Sequence, residues 1–362
     1  MPGEMGADRF GRALHDLRMS VTDRCNFRCP YCMPKEEFGD DYRFVPTADQ
    51  LTDDETVRLA GLFADLGVRK LRITGGEPLL RRNLTELIAA LAPLRARGID
   101  DIALTTNGFL LERHARALAD AGLDRVTVSL DSLDPHVFEH LNGLDQPLAP
   151  VLRGLDAAAA AGLGPIKINV VVLRGVNDDG LLDLVERFRG TGVTVRFIEY
   201  MDVGNRNGWS AEQVVPSRRV VADIHAVHPL EPLEPAYAGE VARRYRYADG
   251  AGEIGFISSV SEPFCGDCTR ARLAVDGTLY TCLFAWKGMP LLPLLRSGAG
   301  DAEVTRVLRE TWARRDDRYS EDRKRIQGFM EGRNSGGTGR PADGAEPEAA
   351  EHAKVEMHHV GG

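Results

Sequence analysis

Near its N-terminus the chain reads Ser20-Val21-Thr22-Asp23-Arg24-Cys25-Asn26-Phe27-Arg28-Cys29-Pro30-Tyr31-Cys32. The three cysteines of this stretch follow the pattern C-x3-C-x2-C and come directly after a short apolar run that predicts a first strand. Three thiolates at this spacing can hold three irons of a 4Fe–4S cluster, because cysteine is the soft ligand that such clusters prefer. No fourth cysteine is nearby, so the fourth iron would stay open to a ligand, as reactive metal sites require.

The composition limits which cellular compartment and which kinds of substrate are expected. The chain has 362 residues, of which 43% are apolar, which is enough for one large domain and a smaller second one. A net charge of −9 argues against a general binder of nucleic acid or membrane surfaces, so local cations must hold any anionic substrate. Residues 1–16 contain no apolar signal segment, and no run of about 18 apolar residues occurs. We expect a cytoplasmic protein without a membrane span.

A second cysteine triplet follows the pattern C-x2-C-x13-C at Cys265, Cys268 and Cys282. The Asp276-Gly277 pair between two alternating runs predicts a hairpin that returns Cys282 to the other two cysteines. Two tight clusters without a signal segment favour metal binding over disulfides. Zinc with an additional ligand is one occupant, but no histidine lies between Cys265 and Cys282, so a second 4Fe–4S cluster is favoured.

Strands and helices alternate six times along the first two hundred or so residues. The near-continuous apolar strands predict a parallel sheet with right-handed crossovers, curved into an incomplete (β/α)6 TIM-type barrel. A doubly wound sheet is the alternative that periodicity leaves open. The barrel architecture places chemistry at the carboxyl ends of the strands. The predicted strands are Leu17–Val21, Lys70–Ile73, Asp101–Thr106, Arg125–Asp131, Ile166–Leu173 and Thr194–Met201.

The pattern divides the chain into four parts. We predict the partial barrel over 1–203 and a small α+β domain with the second cysteine triplet over 204–331. Pro229–Pro235 would be a proline-broken connector in that domain. Residues 332–354 are rich in Gly, Ala, Glu and Pro and predict a disordered linker before a Gly-Gly tail at 355–362. A histidine pair in a tail is usually solvated, so we expect no role for His358 and His359.

Several charged residues and glycines lie within or at the ends of predicted strands. Gly75-Gly76-Glu77-Pro78 follows the second strand; the glycines offer backbone access, and Glu77 could pair with an ammonium group or a neighbouring strand. Strand alternation puts Arg270 and Arg272 on one face, either as a solvated edge or as a grip for phosphate or a nucleobase. Arg18, Arg72 and Lys167 lie in strand-forming runs and suggest a polyanion at the centre of the barrel.

The first triplet, with the aromatic Tyr31 before its last cysteine, resembles the cluster loop of the radical S-adenosylmethionine enzymes. The second triplet, the Arg-x-Arg that follows its first two cysteines and the terminal Gly361-Gly362 narrow this resemblance. Together they are similar to the GTP 3′,8-cyclase family, which performs the first step of molybdenum cofactor (molybdopterin) biosynthesis. The resemblance covers roughly residues 10–330 and the tail.

The resemblance implies a role for each motif residue. Cys25, Cys29 and Cys32 would hold the cluster that binds S-adenosylmethionine, and Cys265, Cys268 and Cys282 a second cluster whose open iron meets guanine. Gly361 and Gly362 would assist catalysis together with Arg270 and Arg272. The residues implied to contact S-adenosylmethionine are Tyr31, Gly76, Ser129 and Met201. Those implied to bind GTP are Arg18, Arg72, Thr105, Lys167, Arg270, Ala271 and Arg272.

The implied reaction is a lyase-type radical cyclisation of GTP to 3′,8-cyclo-7,8-dihydro-GTP. It needs a reductant, either a small molecule or a flavodoxin- or ferredoxin-type protein, and its product passes to cyclic pyranopterin monophosphate synthase. No nucleic acid or membrane is implied, and the oligomeric state, including a homodimer, stays open. The rival readings are a peptide-modifying maturase with an auxiliary cluster and a non-catalytic iron–sulfur electron carrier. We expect the two clusters to face each other across the mouth of the barrel.

Overall fold

The computed structural model describes residues 6–323 and 354–361. The predicted linker 332–354 therefore lies outside the described residues except for its last residue, Lys354, and so does the terminal Gly362.

All six predicted barrel strands are present, most of them within one or two residues of their predicted bounds. They are β1 (Asp16–Ser20), β2 (Lys70–Thr74), β3 (Asp101–Thr106), β4 (Arg125–Ser129), β5 (Lys167–Val172) and β6 (Thr194–Glu199). The C-terminal part adds β7 (Leu230–Leu233), β8 (Arg243–Tyr247), β9 (Glu253–Ile257), β10 (Arg270–Leu273), β11 (Thr278–Tyr280) and β12 (Met289–Pro290).

Helices cover the sheet between successive strands. They are α1 (Asp53–Asp65), α2 (Leu84–Leu91), α3 (Leu111–Asp120), α4 (Pro135–Asn142), α5 (Ala149–Ala160), α6 (Leu181–Phe188), α7 (Ser217–Val227), α8 (Leu292–Arg296) and α9 (Asp301–Ala313). Residues 319–323 are also helical, and Met357–Val360 form a single turn in the tail. Helix α4 escaped the sequence analysis, although Asp134 caps it, Pro135 opens it and Gly143 ends it in a left-handed conformation.

The strands form one sheet in the order β12-β11-β10-β1-β2-β3-β4-β5-β6-β9-β8-β7. The pairs from β10 through β1 to β6 and on to β9 are parallel, and the pairs at both ends are antiparallel. This confirms the incomplete parallel barrel. The C-terminal strands extend both edges of the barrel sheet, so the two parts of the chain share one set of backbone hydrogen bonds.

One prediction about the C-terminal part is wrong. Residues 229–235 were expected to be a connector, but β7 lies within them and pairs antiparallel with β8. Pro232 is tolerated there because β7 is the last strand of the sheet, where one side of the backbone needs no partner.

The two faces of each barrel strand have different surroundings. On β2, Leu71 and Ile73 are fully buried in the hydrophobic core under the helices. Arg72, between them, points into the barrel and lines its central cavity. The alternation of side chains along a strand therefore gives the barrel an apolar outer layer and a charged lumen.

The first cysteine loop is held to the end of β2 by backbone hydrogen bonds. Gly76 donates its N–H to the Thr22 carbonyl at 2.7 Å, and Glu77 donates to the Arg24 carbonyl at 2.8 Å. A Cβ on Gly75 would lie well inside contact distance of the Thr22 carbonyl oxygen, and Gly75 has a φ of +153°. The Gly-Gly turn is thus needed for the close approach of two backbones.

We expect Gly75→Ala to lower the free energy of unfolding by about 1–3 kcal/mol, because the added methyl group forces the loop away from β2. Gly180→Ala is the matched control, since a Cβ there meets nothing within 4 Å. It should change stability by less than about 1 kcal/mol. Chemical denaturation of both variants measures the difference, and equal stability of the two would contradict the packing argument.

Candidate active site

The first cysteine site is a compact turn at the carboxyl end of β1. Cys32 and Met33 both donate their N–H groups to the Cys29 carbonyl, at 2.9 and 2.8 Å. Arg28 donates a hydrogen bond to the Cys25 carbonyl at 2.8 Å, and this bond within the loop stabilises its conformation. The three thiols are free and partly buried. Their side chains are therefore presented by one tightly bonded turn.

The electrostatics of this turn suit a cationic occupant. Burial raises the pKa of Cys25 to about 12 and that of Cys29 well above its usual range. The sulfurs also raise each other's pKa, so three thiolates need a positive group among them. Iron in a cluster is such a group, and the Phe27 N–H that donates to the Cys25 sulfur at 3.4 Å is the kind of bond that tunes clusters.

The second cysteine site lies at the amino end of β10. Arg270 donates to the Cys268 sulfur at 3.1 Å. Burial alone would raise the pKa of Cys268, but Arg270 and Arg315 outweigh it and lower the pKa to about 6. Burial raises the pKa of Cys282 to about 12. The β10–β11 hairpin returns Cys282 to this site, as predicted from Asp276-Gly277.

A buried ion network braces the second site. Asp8 accepts hydrogen bonds from Arg12 at 2.6 Å and from Arg315 at 3.1 Å, and all three side chains are almost fully buried. Arg12 then donates to the Cys265 carbonyl at 2.7 Å, and Arg315 donates to the Cys268 carbonyl at 2.7 Å. The N-terminal segment therefore fixes the backbone that carries two of the three cysteines.

The two cysteine sites lie at opposite ends of the barrel, so the expectation that they face each other across one mouth is wrong. Strand β10 runs parallel to β1. Cys32 follows the carboxyl end of β1, whereas Cys268 precedes the amino end of β10. A strand of five residues separates these ends by roughly 15 Å.

A cavity of about 650 Å³ occupies the lumen and reaches the second cysteine site. Ten basic side chains line it, against four acidic ones: Asp16, Glu240, Glu253 and Asp317. All three cysteines of the second triplet border it. In a protein of net charge −9, this lumen is strongly cationic and suits a polyanion.

Strand register explains how the cations gather. Arg18 lies opposite Arg72 on β2 and opposite Arg272 on β10, so three guanidinium groups form a row across neighbouring strands. Burial, together with Arg272 and Arg72, pushes the pKa of Arg18 well below its usual range. Burial and Arg196 lower the pKa of Lys167 to about 7. Asp16 attracts Arg18 less strongly than the neighbouring arginines repel it, so a bound polyanion would relieve the repulsion.

Each residue implied to bind GTP has a definite place. Arg18, Arg72, Lys167, Arg270 and Arg272 line the cavity. Thr105 accepts a hydrogen bond from Arg72 at 3.0 Å and so orients that guanidinium. Ala271 packs in the hydrophobic core on the other face of β10, so its side chain does not face the lumen.

Sequence reasoning missed further residues that line the cavity, among them Lys70, Arg125, Asn169 and Arg196. Arg196 donates to Asn169 at 2.6 Å across the β5–β6 pair. Arg125 pairs with Asp101. The signal was available, because these residues alternate with buried apolar ones on the same strands as the residues already named.

The residues implied to contact S-adenosylmethionine lie toward the carboxyl ends of the strands. Tyr31 is buried and donates its hydroxyl to Asp131 at 2.6 Å, while burial raises the pKa of Asp131 to about 6. Gly76 takes part in the backbone pairing already described. Ser129 ends β4 and Met201 lines the cavity.

Glu77 pairs with a neighbouring strand, one of its two predicted partners. It is fully buried and accepts hydrogen bonds from the Thr106 hydroxyl at 2.8 Å and the Asn107 N–H at 2.7 Å. Burial raises the pKa of Glu77 to about 7.

The tail reaches the same cavity. The Gly361 carbonyl accepts a hydrogen bond from Arg272, and Met357 lines the cavity wall. A Cβ on Gly361 would collide with the Thr74 hydroxyl, and Gly361 has a φ of +70°. Glycine is therefore required at this position by both space and backbone conformation.

Comparison with known proteins now identifies the family. A curated GTP 3′,8-cyclase of Acidothermus cellulolyticus is 50% identical over 98% of this chain and 98% of its own length. The chain belongs to the GTP 3′,8-cyclase family. The enzyme of that name from Xanthomonas axonopodis pv. citri is 53% identical over 88% of this chain and 94% of its own. The one from Staphylococcus haemolyticus is 49% identical over 87% and 92%.

Two family models match successive parts of the chain. The radical SAM superfamily model matches residues 19–188, and the Molybdenum Cofactor Synthesis C model matches residues 193–321. Each model contains one cysteine triplet.

A solved structure supports the fold. The crystal structure of Streptococcus suis SuiB bound to S-adenosylmethionine aligns with a TM-score of 0.56 at 16% identity, over 82% of this chain and 68% of that one. In the described residues, no helix combines the length and the apolar character needed to cross a membrane.

We expect Arg315→Met to lower the free energy of unfolding by about 3–5 kcal/mol, because it leaves Asp8 buried with one partner fewer. Arg9→Met is the matched control, since Arg9 pairs with Asp316 on the exposed surface. It should cost less than about 1 kcal/mol. Denaturant titration compares the two, and a similar cost for both variants would show that the buried network contributes little.

Proposed function

We propose that this protein is a radical S-adenosylmethionine enzyme that converts GTP to 3′,8-cyclo-7,8-dihydro-GTP, the first step of molybdenum cofactor biosynthesis. The observation that carries this function is the cationic cavity bordered by the second cysteine triplet, in a chain that shares half of its residues with a GTP 3′,8-cyclase over nearly its whole length. The enzyme would be a lyase.

Cys25, Cys29 and Cys32 would hold the 4Fe–4S cluster that binds S-adenosylmethionine. When bound, the cluster and S-adenosylmethionine together supply the 5′-deoxyadenosyl radical that takes the 3′ hydrogen of GTP. S-adenosylmethionine would be contacted by Tyr31, Gly76, Ser129 and Met201. The carboxyl ends of the strands carry all four residues or their loops, which supports this side as the cofactor side.

Cys265, Cys268 and Cys282 would hold a second 4Fe–4S cluster against the guanine. No histidine lies between Cys265 and Cys282, and three soft thiolates suit iron in a cluster, which supports the cluster over the zinc alternative. Arg270, bonded to the Cys268 sulfur, would tune this cluster and face the nucleobase.

Arg18, Arg72 and Arg272, which we call the cation row, would hold the triphosphate. The second cysteine site would hold the base. Arg18 and Arg72 would bind phosphate oxygens through their guanidinium forks, and Lys167 would add charge from the far wall. Fixing GTP at both ends brings C3′ near C8 of the same molecule, which is an orientation task for the protein. Gly361, Gly362, Arg270 and Arg272 would act at the reacting ribose and base.

The remaining partners follow from this chemistry. A flavodoxin- or ferredoxin-type protein, or a small molecule, would supply electrons, and cyclic pyranopterin monophosphate synthase would take the product. A cytoplasmic location suits six free cysteines.

Anaerobic reconstitution with GTP and S-adenosylmethionine tests the function. The parent should carry about eight irons and form 5′-deoxyadenosine and the cyclised nucleotide together. Cys29→Ala should abolish 5′-deoxyadenosine formation, because the first cluster is lost. Cys268→Ala should keep about four irons and lose the cyclised nucleotide.

Three results would count against this proposal. GTP turnover by the Cys268 variant would remove the second site from guanine binding. Modification of a peptide instead of GTP would favour a maturase. Cluster reduction without any S-adenosylmethionine cleavage would favour an electron carrier.

We expect the affinity for GTP to fall as pH rises above 7. Burial and Arg196 lower the pKa of Lys167 to about 7, and a bound polyanion would raise it, so binding takes up a proton that becomes scarcer at high pH. Between pH 7.5 and 9 the loss should reach at most roughly tenfold per unit. Equilibrium binding under anaerobic conditions measures it.

Lys167→Arg stays charged over this range and should flatten the pH dependence. Lys35→Arg, an exposed lysine outside the cavity, is the control and should keep the slope of the parent. An unchanged slope in Lys167→Arg would assign the pH dependence to another group.

A further inference from the structure

The described tail, residues 354–361, makes a series of specific contacts. Lys354 donates to the Asp202 carbonyl at 2.9 Å and pairs with its carboxylate at 3.0 Å. Glu356 accepts a hydrogen bond from the Asn205 N–H at 3.2 Å. Met357 packs against two small apolar clusters, one beside Cys29 and Cys32 and the other beside Cys282. The tail therefore runs between the two cysteine sites.

His358 is the most buried polar side chain of this segment, and the expectation that it is solvated is wrong. It is 2% exposed. Its ring meets three aromatic rings edge-on, at centroid distances of 4.8 Å to Phe38, 6.0 Å to Tyr42 and 6.5 Å to Phe44. We call these three rings the aromatic pocket. They lie on the segment that directly follows the first cysteine triplet and have no part in the proposed chemistry.

We propose that His358 is the positioning residue of the tail: its ring fills the aromatic pocket, and this contact sets where Gly361 lies against Thr74. The effect on turnover rests on the proposed function, whereas the docking itself does not. Gly361 follows His358 by three residues, so a fixed ring leaves the backbone between them little freedom.

Apart from the buried hydrogen bond that Arg272 donates to the Gly361 carbonyl, the polar contacts of this turn are weaker. His359 pairs with Asp276 at 3.3 Å and Glu356 lies 3.8 Å from Arg206, and both pairs are partly exposed. Such pairs contribute little, whereas a buried ring with three aromatic neighbours contributes through both area and ring geometry. Val360 is fully buried in the same helical turn as His358, so the two side chains dock together.

The seated ring is neutral. Burial lowers the pKa of His358 to about 3, and His359, Arg28 and Arg206 act in the same direction. In the described residues the Nδ1 atom has no hydrogen-bond partner. Tyr42 is the other titratable ring of the pocket, and burial raises its pKa, so it stays neutral as well.

Docking of the tail should weaken at low pH. A free tail histidine titrates near 6.5, above the value for the seated ring, so protonation favours release. The docking constant should be constant above pH 6.5 and fall about tenfold per pH unit below it.

Hydrogen exchange of the full-length, cluster-loaded protein under anaerobic conditions tests the docking. We expect His358→Ala to lower the protection of the amides of residues 356–361 by roughly 30-fold or more, because the ring leaves a cavity. His358→Phe restores the ring and should stay within about threefold of the parent. His359→Ala, in the same helical turn, is the matched control and should also stay within about threefold.

Two further readouts separate positioning from general damage. His358→Ala should lower kcat for GTP more than it raises KM, since the triphosphate is held by the cation row. Tail protection in the parent should fall between pH 6.5 and 5, while His358→Phe should show no such fall.

Unchanged tail protection in His358→Ala, or equal loss in the Ala and Phe variants, would overturn the proposal. Lost tail protection with unchanged kcat would overturn the positioning role. A parent that shows the expected exchange pattern but does not turn over GTP would refute the proposed function and leave the docking standing.

Discussion

The parallel pairing of β1 with two neighbours is the constraint on which the structure depends. Residues Asp16–Ser20 bond to β2 on one side, and Asp16–Met19 bond to β10 on the other, so a strand from the far end of the sequence completes the barrel wall. Because all three strands run in the same direction, the loop after β1 and the loop before β10 emerge at opposite ends. One register thereby separates the two cysteine triplets and aligns three arginines between them.

Electrostatics follows from that register. Arg18, Arg72 and Arg272 are brought together in a lumen that also holds Lys167 and Arg196. Burial, and after it repulsion from neighbouring arginines, lowers the pKa of each of the three arginines. A protein keeps such a cluster only when folding pays for it elsewhere, here in the apolar layer between sheet and helices. The cavity is thus arranged for a ligand that brings negative charge.

Local patterns carried much of the fold and of the candidate site. Near-continuous apolar runs with helices between them identified the barrel strands, and Asp276-Gly277 identified the hairpin, because both signals act over a few residues. The cysteine spacing and the Arg270/Arg272 alternation were readable for the same reason. Lys70 and Arg125 are each the first residue of a strand, where a charged residue looks alike whether it faces solvent or a lumen. Arg196 lies inside β6, and its alternation with buried apolar residues was a signal that was not used. Helix α4 carried clear capping signals at Asp134 and Gly143 that were not used.

Three features can be read directly along the chain: six thiols in two triplets, glycines where backbones touch, and arginines at alternating positions. These depend on spacing along the chain, which is local. The tertiary structure alone decided that the triplets occupy opposite ends, that Ala271 faces the core and that His358 is buried among three rings. Each of these depends on pairing between residues far apart in sequence, and no local preference specifies which distant strand or ring becomes the neighbour.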